Sequence, residues 1–449
     1  MKGCFLFFII VFFLISGCST SEKNIDTSDE SVADTEGSDD SEITDEDSAP
    51  EGFLSGFDTE GKECFENVPD GRLILATIRN YNDSEAAWRV QIFVLKDDAT
   101  VIDTGKYFET DSDLEGIGFN SNGRLAAISS WKTGFVTLFA LIDSTLCIAQ
   151  KEIELPNLKV VDQTKERVIF DQIVANPADP YKFYLVSGNV LEKGDYSNYN
   201  GGIYSMTVDK YGKAVISEDH PEMHVPSAFT ILPGGKRALV LGGKEFITEE
   251  GSSIGTAGPD DLALLDLETD IPEVIQWFDV WGATGVNGSG PSLRSIGVAD
   301  NGFVMIANSS EYADDPGKIK LFNYDGDKTI SFLTDFTDAA LDSPDYIAMN
   351  DEGSVAIVLN SLFKGATLGV TDSAISYVKK ETHDLTQPMI KLSGEPFQNH
   401  VLINSFRSSS DESASITIAE ITVDGLVEKS SAQIPLEDGY SLESLAVQK

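Results

Sequence analysis

The sequence predicts an all-β chain, a seven-bladed β-propeller closed by its own C-terminal strand, and three observations carry that prediction. The first is a meander between Ser292 and Asp325, where Ser295–Val298, Phe303–Asn308 and Lys318–Tyr324 are β-rich runs separated by Gly, Asn and Asp turn chemistry. The second is its return as LEGIGFNSNGRLAAISS (114–130), AFTILPGGKRALVLGG (228–243) and DYIAMNDEGSVAIVLN (345–360). An apolar strand, a tight turn with glycine at a fixed place and a second, more apolar strand form the unit. The third is complementarity of the ends. The folded part opens at Gly71–Ala76 as a second strand lacking a first, and the chain ends in YSLESLAVQK, a first strand lacking a second. Joining the two supplies the missing blade and removes the exposed edges of an open array.

Taken in order, the chain starts with Lys2 as a positive n-region and an apolar run from Phe5 to Ile15, too short for a stable membrane span. Residues 1–17 therefore read as a signal peptide. It ends Leu14-Ile15-Ser16-Gly17-Cys18, which resembles the bacterial lipobox. That resemblance implies an acylated Cys18 as the mature N-terminus and a lipid bilayer as partner, since each buried methylene adds about 0.8 kcal/mol. Ser19 is not the aspartate associated with inner-membrane retention, which points to the outer membrane of the cell envelope. Residues 18–60 read as an acidic linker, for a block of like charge with almost nothing apolar cannot offset its ordering entropy. Its aspartates lack the spacing and the bidentate glutamate of a calcium loop.

Residues 61–449 carry the blades. Inner strands are expected to begin near Glu115, Asp171, Ser227, Arg294, Asp345 and Pro388, with Glu443 in the closing strand. A chain of 449 residues exceeds one ordinary core, but in a repeat each blade packs only on its neighbours. The extra length follows the second strand of most units, at Asn80–Ala87, Gly188–Asn200, Glu245–Asp260, Ser309–Gly317 and Arg407–Ala414. One face is thereby looped and the other kept to tight turns, as binding faces of repeat proteins are.

In its inner strand, glycine turn, second strand and C-terminal closure, the region Phe65–Lys449 resembles the seven-bladed lactonase and YVTN-type propellers of bacterial envelopes. The resemblance lies in repeat form and reaches no catalytic signature. The units lack a Trp-Asp ending and sialidase Asp-boxes, and no Cys-x-x-Cys-His is present to hold a haem.

The formal charge of −42, from 74 acidic and 32 basic residues, excludes nucleic acid as partner because phosphates require basic neutralisation. Gly251-Ser252-Ser253-Ile254-Gly255 matches Gly-x-Ser-x-Gly, but a nucleophile elbow needs a strand before it and a helix after it, and no helical pattern follows. His220, His224 and His383 fall between blades, the first two in EDHPEMHVP, where a proline-interrupted loop does not align both rings for a metal. Cys64 and Cys147 remain after the signal is removed; an oxidising compartment permits their pairing, and two separate thiols are the alternative.

Aligned on their turns, Glu115, Asp171, Ser227, Arg294, Asp345, Pro388 and Glu443 begin the inner strands around one channel mouth. Gathered carboxylates raise one another's pKa unless a cation compensates. The ring is expected to hold a hard cation such as Ca²⁺, to take a cationic group of a partner, or to remain solvated with Arg294 as counter-charge. Two functions follow. One is a tethered binding or protein-interaction module with its ligand on the looped face. The other, implied by the resemblance, is a lactonase-like or metal-dependent hydrolase with its site at the channel mouth.

Overall fold

The computed structural model describes residues 52–80, 88–110, 114–130, 132–156, 160–161, 164–165, 167–187, 189–191, 200–243, 246–248, 255–257, 261–280, 292–309, 318–337, 341, 344–360, 365–381, 389–405, 413–435 and 440–448. Among them there is no helix. Seven antiparallel blades form a ring. Blade 1 runs from the inner strand Tyr440–Val447 through Arg72–Asn80 and Trp88–Leu95 to the outer strand Val101–Thr110. Blades 5, 6 and 7 repeat this four-strand order from Ser292, Pro344 and Met389. The closing strand thus comes from the C-terminus, with Ile74 opposite Val447 and Asn80 opposite Tyr440.

Strand pattern explains the packing. Both faces of the second and third strands are apolar because each blade is sandwiched between two others. The buried residues accordingly fall into seven clusters, one per interface. In the second strand of blade 1, Leu73 and Leu75 join the cluster shared with blade 2, while Ile74, Ala76 and Ile78 join the one shared with blade 7. Close approach of neighbouring inner strands requires glycine at Gly118, where an added Cβ would stand 2.3 Å from the Ile173 carbonyl oxygen. The fixed glycine of the tight turns has a backbone reason too: Gly123, Gly235, Gly302 and Gly353 all have φ between 69° and 90°.

In such a meander the turns joining first to second and third to fourth strands share one face. On this tight-turn face, polar latches tie neighbouring blades together. Asn120 donates to the Pro180 carbonyl at 2.6 Å, Lys182 to Asp270 at 2.5 Å, Asn301 to Glu352 at 2.8 Å, and Arg72 to Glu395 at 2.7 Å across the seam between blades 7 and 1. Arg237, 4 % exposed, joins Asp266 at 2.7 Å in its own blade and reaches Asp327 of blade 5 at 3.7 Å.

Several expectations need correction. Blade 2 has a fifth, outermost strand, because Cys64–Phe65 pairs with Leu146–Cys147. Blades 3 and 4 form one continuous sheet, because Asn200–Gly202 pairs with Glu222–His224. His224 therefore lies in a strand rather than in a loop between blades. Residues 53–57, inside the stretch assigned to the linker on composition, are seated on the ring. Leu54 is 4 % exposed within the cluster between blades 2 and 3, its amide donates to the Tyr181 hydroxyl at 3.1 Å, and Gly56 donates to the Lys210 carbonyl at 3.2 Å. One leucine and two flanking phenylalanines, Phe53 and Phe57, outweigh the polar composition of that stretch.

Candidate functional site

Strand register places the first residues of the inner strands at one level, at the looped ends of the blades. Three residues on from the carbonyl that closes each tight turn, that of Leu73 in blade 1, is the residue faced in turn by Ile117, Ile173, Phe229, Ile296, Ile347, Met389 and Leu445. Two residues earlier stand Glu115, Asp171, Ser227, Arg294, Asp345 and Glu443. In blade 7 that count reaches Gln387 rather than Pro388, and both lie outside the described residues. Asp171 falls just before its strand, which starts at Gln172. The ladder is irregular at this level in blades 1, 2, 4, 5 and 6. Such bulges leave a residue of one strand unpaired in the ladder.

Glu115 and Asp171 are exposed and Glu443 is half-buried. Ser441 hydrogen-bonds the Glu443 carboxylate, and Ser444 donates to the Glu115 carbonyl at 3.2 Å, so the acids of blades 1 and 2 are on adjoining strands. The side chains of Arg294 and Asp345 lie outside the described part. Among the described residues no three of His, Cys, Asp and Glu stand together as a metal site.

Behind that level is a second repeated position that composition does not reveal. Counting four residues on from the carbonyl that accepts the bond closing each tight turn gives Thr77, Ser129, Val186, Leu241, Ala307, Leu359 and Asn404. All are buried. Ser129 accepts the Gly116 amide at 2.8 Å and donates to the Phe170 carbonyl at 2.6 Å. Thr77 accepts the Ser444 amide at 3.0 Å. Asn404, fully buried, has no partner for either amide atom. The residue before Met389 is Pro388, which has no N–H to offer where Gly116 and Ser444 have one.

The remaining candidates scatter. Cys64 and Cys147 are cross-strand partners joined by a disulfide, with sulfurs 2.10 Å apart, on the outer rim of blade 2 and not at the channel. His220 stacks on Tyr204 at 4.0 Å, with Nδ1 2.8 Å from the Glu218 carbonyl. His383 and residues 251–254 lie outside the described residues; Gly255–Ala257, which starts at the last glycine of the serine motif, is a strand paired with Phe246–Thr248. At the looped end of blade 1 the structure gathers residues that sequence reading missed. The Arg79 guanidinium lies 5.2 Å from the Trp88 ring, and that of Arg89 lies near both Tyr107 and Tyr440. The available signal was an arginine on either side of the looped connection after the second strand.

The sequence matches no protein-family profile and no curated protein. Solved structures are similar in fold. A periplasmic gluconolactonase of Pseudomonas aeruginosa is 12% identical with a TM-score of 0.52, the match covering 84% of this chain and 99% of that one. A hypothetical selenium-binding protein of Sulfolobus tokodaii is 10% identical with a TM-score of 0.56, covering 84% and 94%. Sqt1 of Chaetomium thermophilum, solved bound to the N-terminus of a ribosomal protein, is 11% identical with a TM-score of 0.50, covering 86% and 97%. At such identities the likeness is one of architecture, and it establishes that this chain has the fold of the lactonase-like seven-bladed β-propellers.

Proposed function

We propose that the protein is a membrane-anchored lipoprotein of the bacterial cell envelope whose propeller is a binding module, taking a protein or other extracellular ligand on its looped face. The observation that carries this reading is the division of labour between the faces. The tight-turn face is spent on latches between blades and on seating Leu54, whereas the looped face holds the channel mouth with Glu115, Asp171 and Glu443 and the aromatic and arginine cluster of blade 1. Residues 53–57 meet the ring at turns of blade 3, around Tyr181 and Lys210, on the tight-turn side. Sqt1, a similar propeller solved with a bound protein segment, is consistent with a ligand on such a ring.

Replacing Cys18 by Ala tests the anchor: the variant is expected in the soluble fraction, and retention in membranes would exclude acylation at Cys18 as its cause. Binding is tested with the acylated chain in vesicles by cross-linking to envelope extracts. Capture that survives changes on the tight-turn face but is abolished by Glu115→Lys with Glu443→Lys supports the module. The same capture by the double variant would remove the channel mouth from the binding surface.

A further inference from the structure

Arg89 is the second residue of the third strand of blade 1, at its looped end, with its guanidinium carbon 5.3 Å from the ring centre of Tyr107 and 4.8 Å from that of Tyr440. Register explains why one cation meets two rings from different strands. Arg89 faces Ile78, Tyr107 faces Gln91 and Tyr440 faces Asn80, so all three side chains leave the same side of the blade, the side that meets blade 7. The outer strand contributes one ring and the inner strand the other, with the arginine between.

What Arg89 lacks matters as much. Glu109 is directly opposite on the outer strand, yet no ion pair joins them. Among the described residues Arg89 makes no hydrogen bond and no ion pair, and its Nε is buried without an acceptor. The chain carries 74 acidic residues against 32 basic ones, so carboxylates are plentiful, but this guanidinium is held by aromatic rings alone. Each ring attracts the charge and narrows the orientations of the side chain. Neither accepts the directed N–H bonds that a planar guanidinium offers. The group that satisfies those bonds is one with two coplanar oxygens, a carboxylate or a phosphate.

We propose that Arg89, held between Tyr107 and Tyr440, is an anion-binding site on the looped face, and that it takes a small ligand through a single carboxylate or phosphate group. A polyanion is disfavoured by the charge of −42, which repels it at every approach. Aromatic rings on either side also suit a ligand whose anionic group is borne on a flat or apolar body. The proposal concerns the folded ring and holds whether or not the chain is acylated.

The experiment is a titration of the ¹⁵N-labelled full chain with sodium acetate and, separately, inorganic phosphate, at constant ionic strength against sodium chloride. The arginine Nε–H correlations are observed, with the Arg89 signal identified by its loss in Arg89→Lys. That signal is expected to move saturably below about 50 mM anion and not with chloride. Movement with acetate alone assigns a carboxylate ligand, with phosphate alone a phosphate ligand, and with both the shared chemistry. Tyr107→Ala, an exposed position on the outer strand, is expected to weaken the response at least threefold while leaving the melting temperature within about 2 °C. No saturable movement with either anion, or the same movement with chloride, overturns the proposal. So does an undiminished response in Tyr107→Ala.

Discussion

Asn404 offers a sharp quantitative test of the repeat register. Its amide is fully buried and unpartnered, and the equivalent positions in blades 4 and 6 are Leu241 and Leu359. Leucine has the same number of side-chain heavy atoms as asparagine in a similar branched shape, though its methyl groups are bulkier, so Asn404→Leu should fit where leucine already fits twice. A buried unsatisfied polar group costs about 1–3 kcal/mol, and the amide contributes both a donor and an acceptor. Removing both and gaining apolar contact with Ile416, its cross-strand neighbour, is offset by up to about 1–3 kcal/mol of packing strain. The net expectation is stabilisation by about 2–4 kcal/mol. With an unfolding entropy of about 2.1 cal/mol/K per residue, a ring of this length shifts by roughly 1 °C per kcal/mol, so the melting temperature should rise by about 2–4 °C in scanning calorimetry. Asn404→Ala, which leaves a cavity, should gain less. A fall of about 2 °C or more in Asn404→Leu would show that the amide is satisfied in solution, and the reasoning from Pro388 would fail.

Two further outcomes follow from the seam and from the outer strands. Deleting 442–449 takes Leu442, Leu445 and Ala446 out of the blade 1 core, all 7 % exposed or less, and at about 2–5 kcal/mol per leucine the melting temperature should drop by at least about 5 °C; an unchanged melt would refute closure by the C-terminal strand. The Lys429 ammonium, 2.5 Å from Glu420, holds the Glu420 carboxyl below its ordinary range. A folded-state value below the unfolded one means that stability is fully present above the ordinary carboxylate range and is lost as pH falls through the lowered value. The deficit of Glu420→Gln relative to the parent, a few tenths of a kcal/mol at neutral pH for so exposed a pair, should therefore vanish on acidification; a deficit that persists at pH 3 would mean that it does not arise from the ion pair.

The sequence by itself determined the ring. Apolar alternation, glycine at the turn and the complementary ends at Arg72–Asn80 and Tyr440–Val447 are local or repeated signals, and each is enforced by the same physics in every blade. The level of Glu115, Asp171, Arg294, Asp345 and Glu443 could be counted for that reason, since register propagates along a strand. Counting slipped by one in blade 7, where Pro388 stands beside a strand of only three residues, Met389–Lys391. The tertiary structure alone decided what crosses between blades. That Cys64 faces Cys147, that Leu54 is seated near Tyr181, that Asn404 is orphaned while Ser129 bridges to Phe170, and that Arg89 stands between Tyr107 and Tyr440 all depend on contacts between segments far apart in the chain. Periodicity tells which face of a strand is apolar. It does not tell which polar side chain will find a partner on the next blade, because that is fixed only when the ring closes.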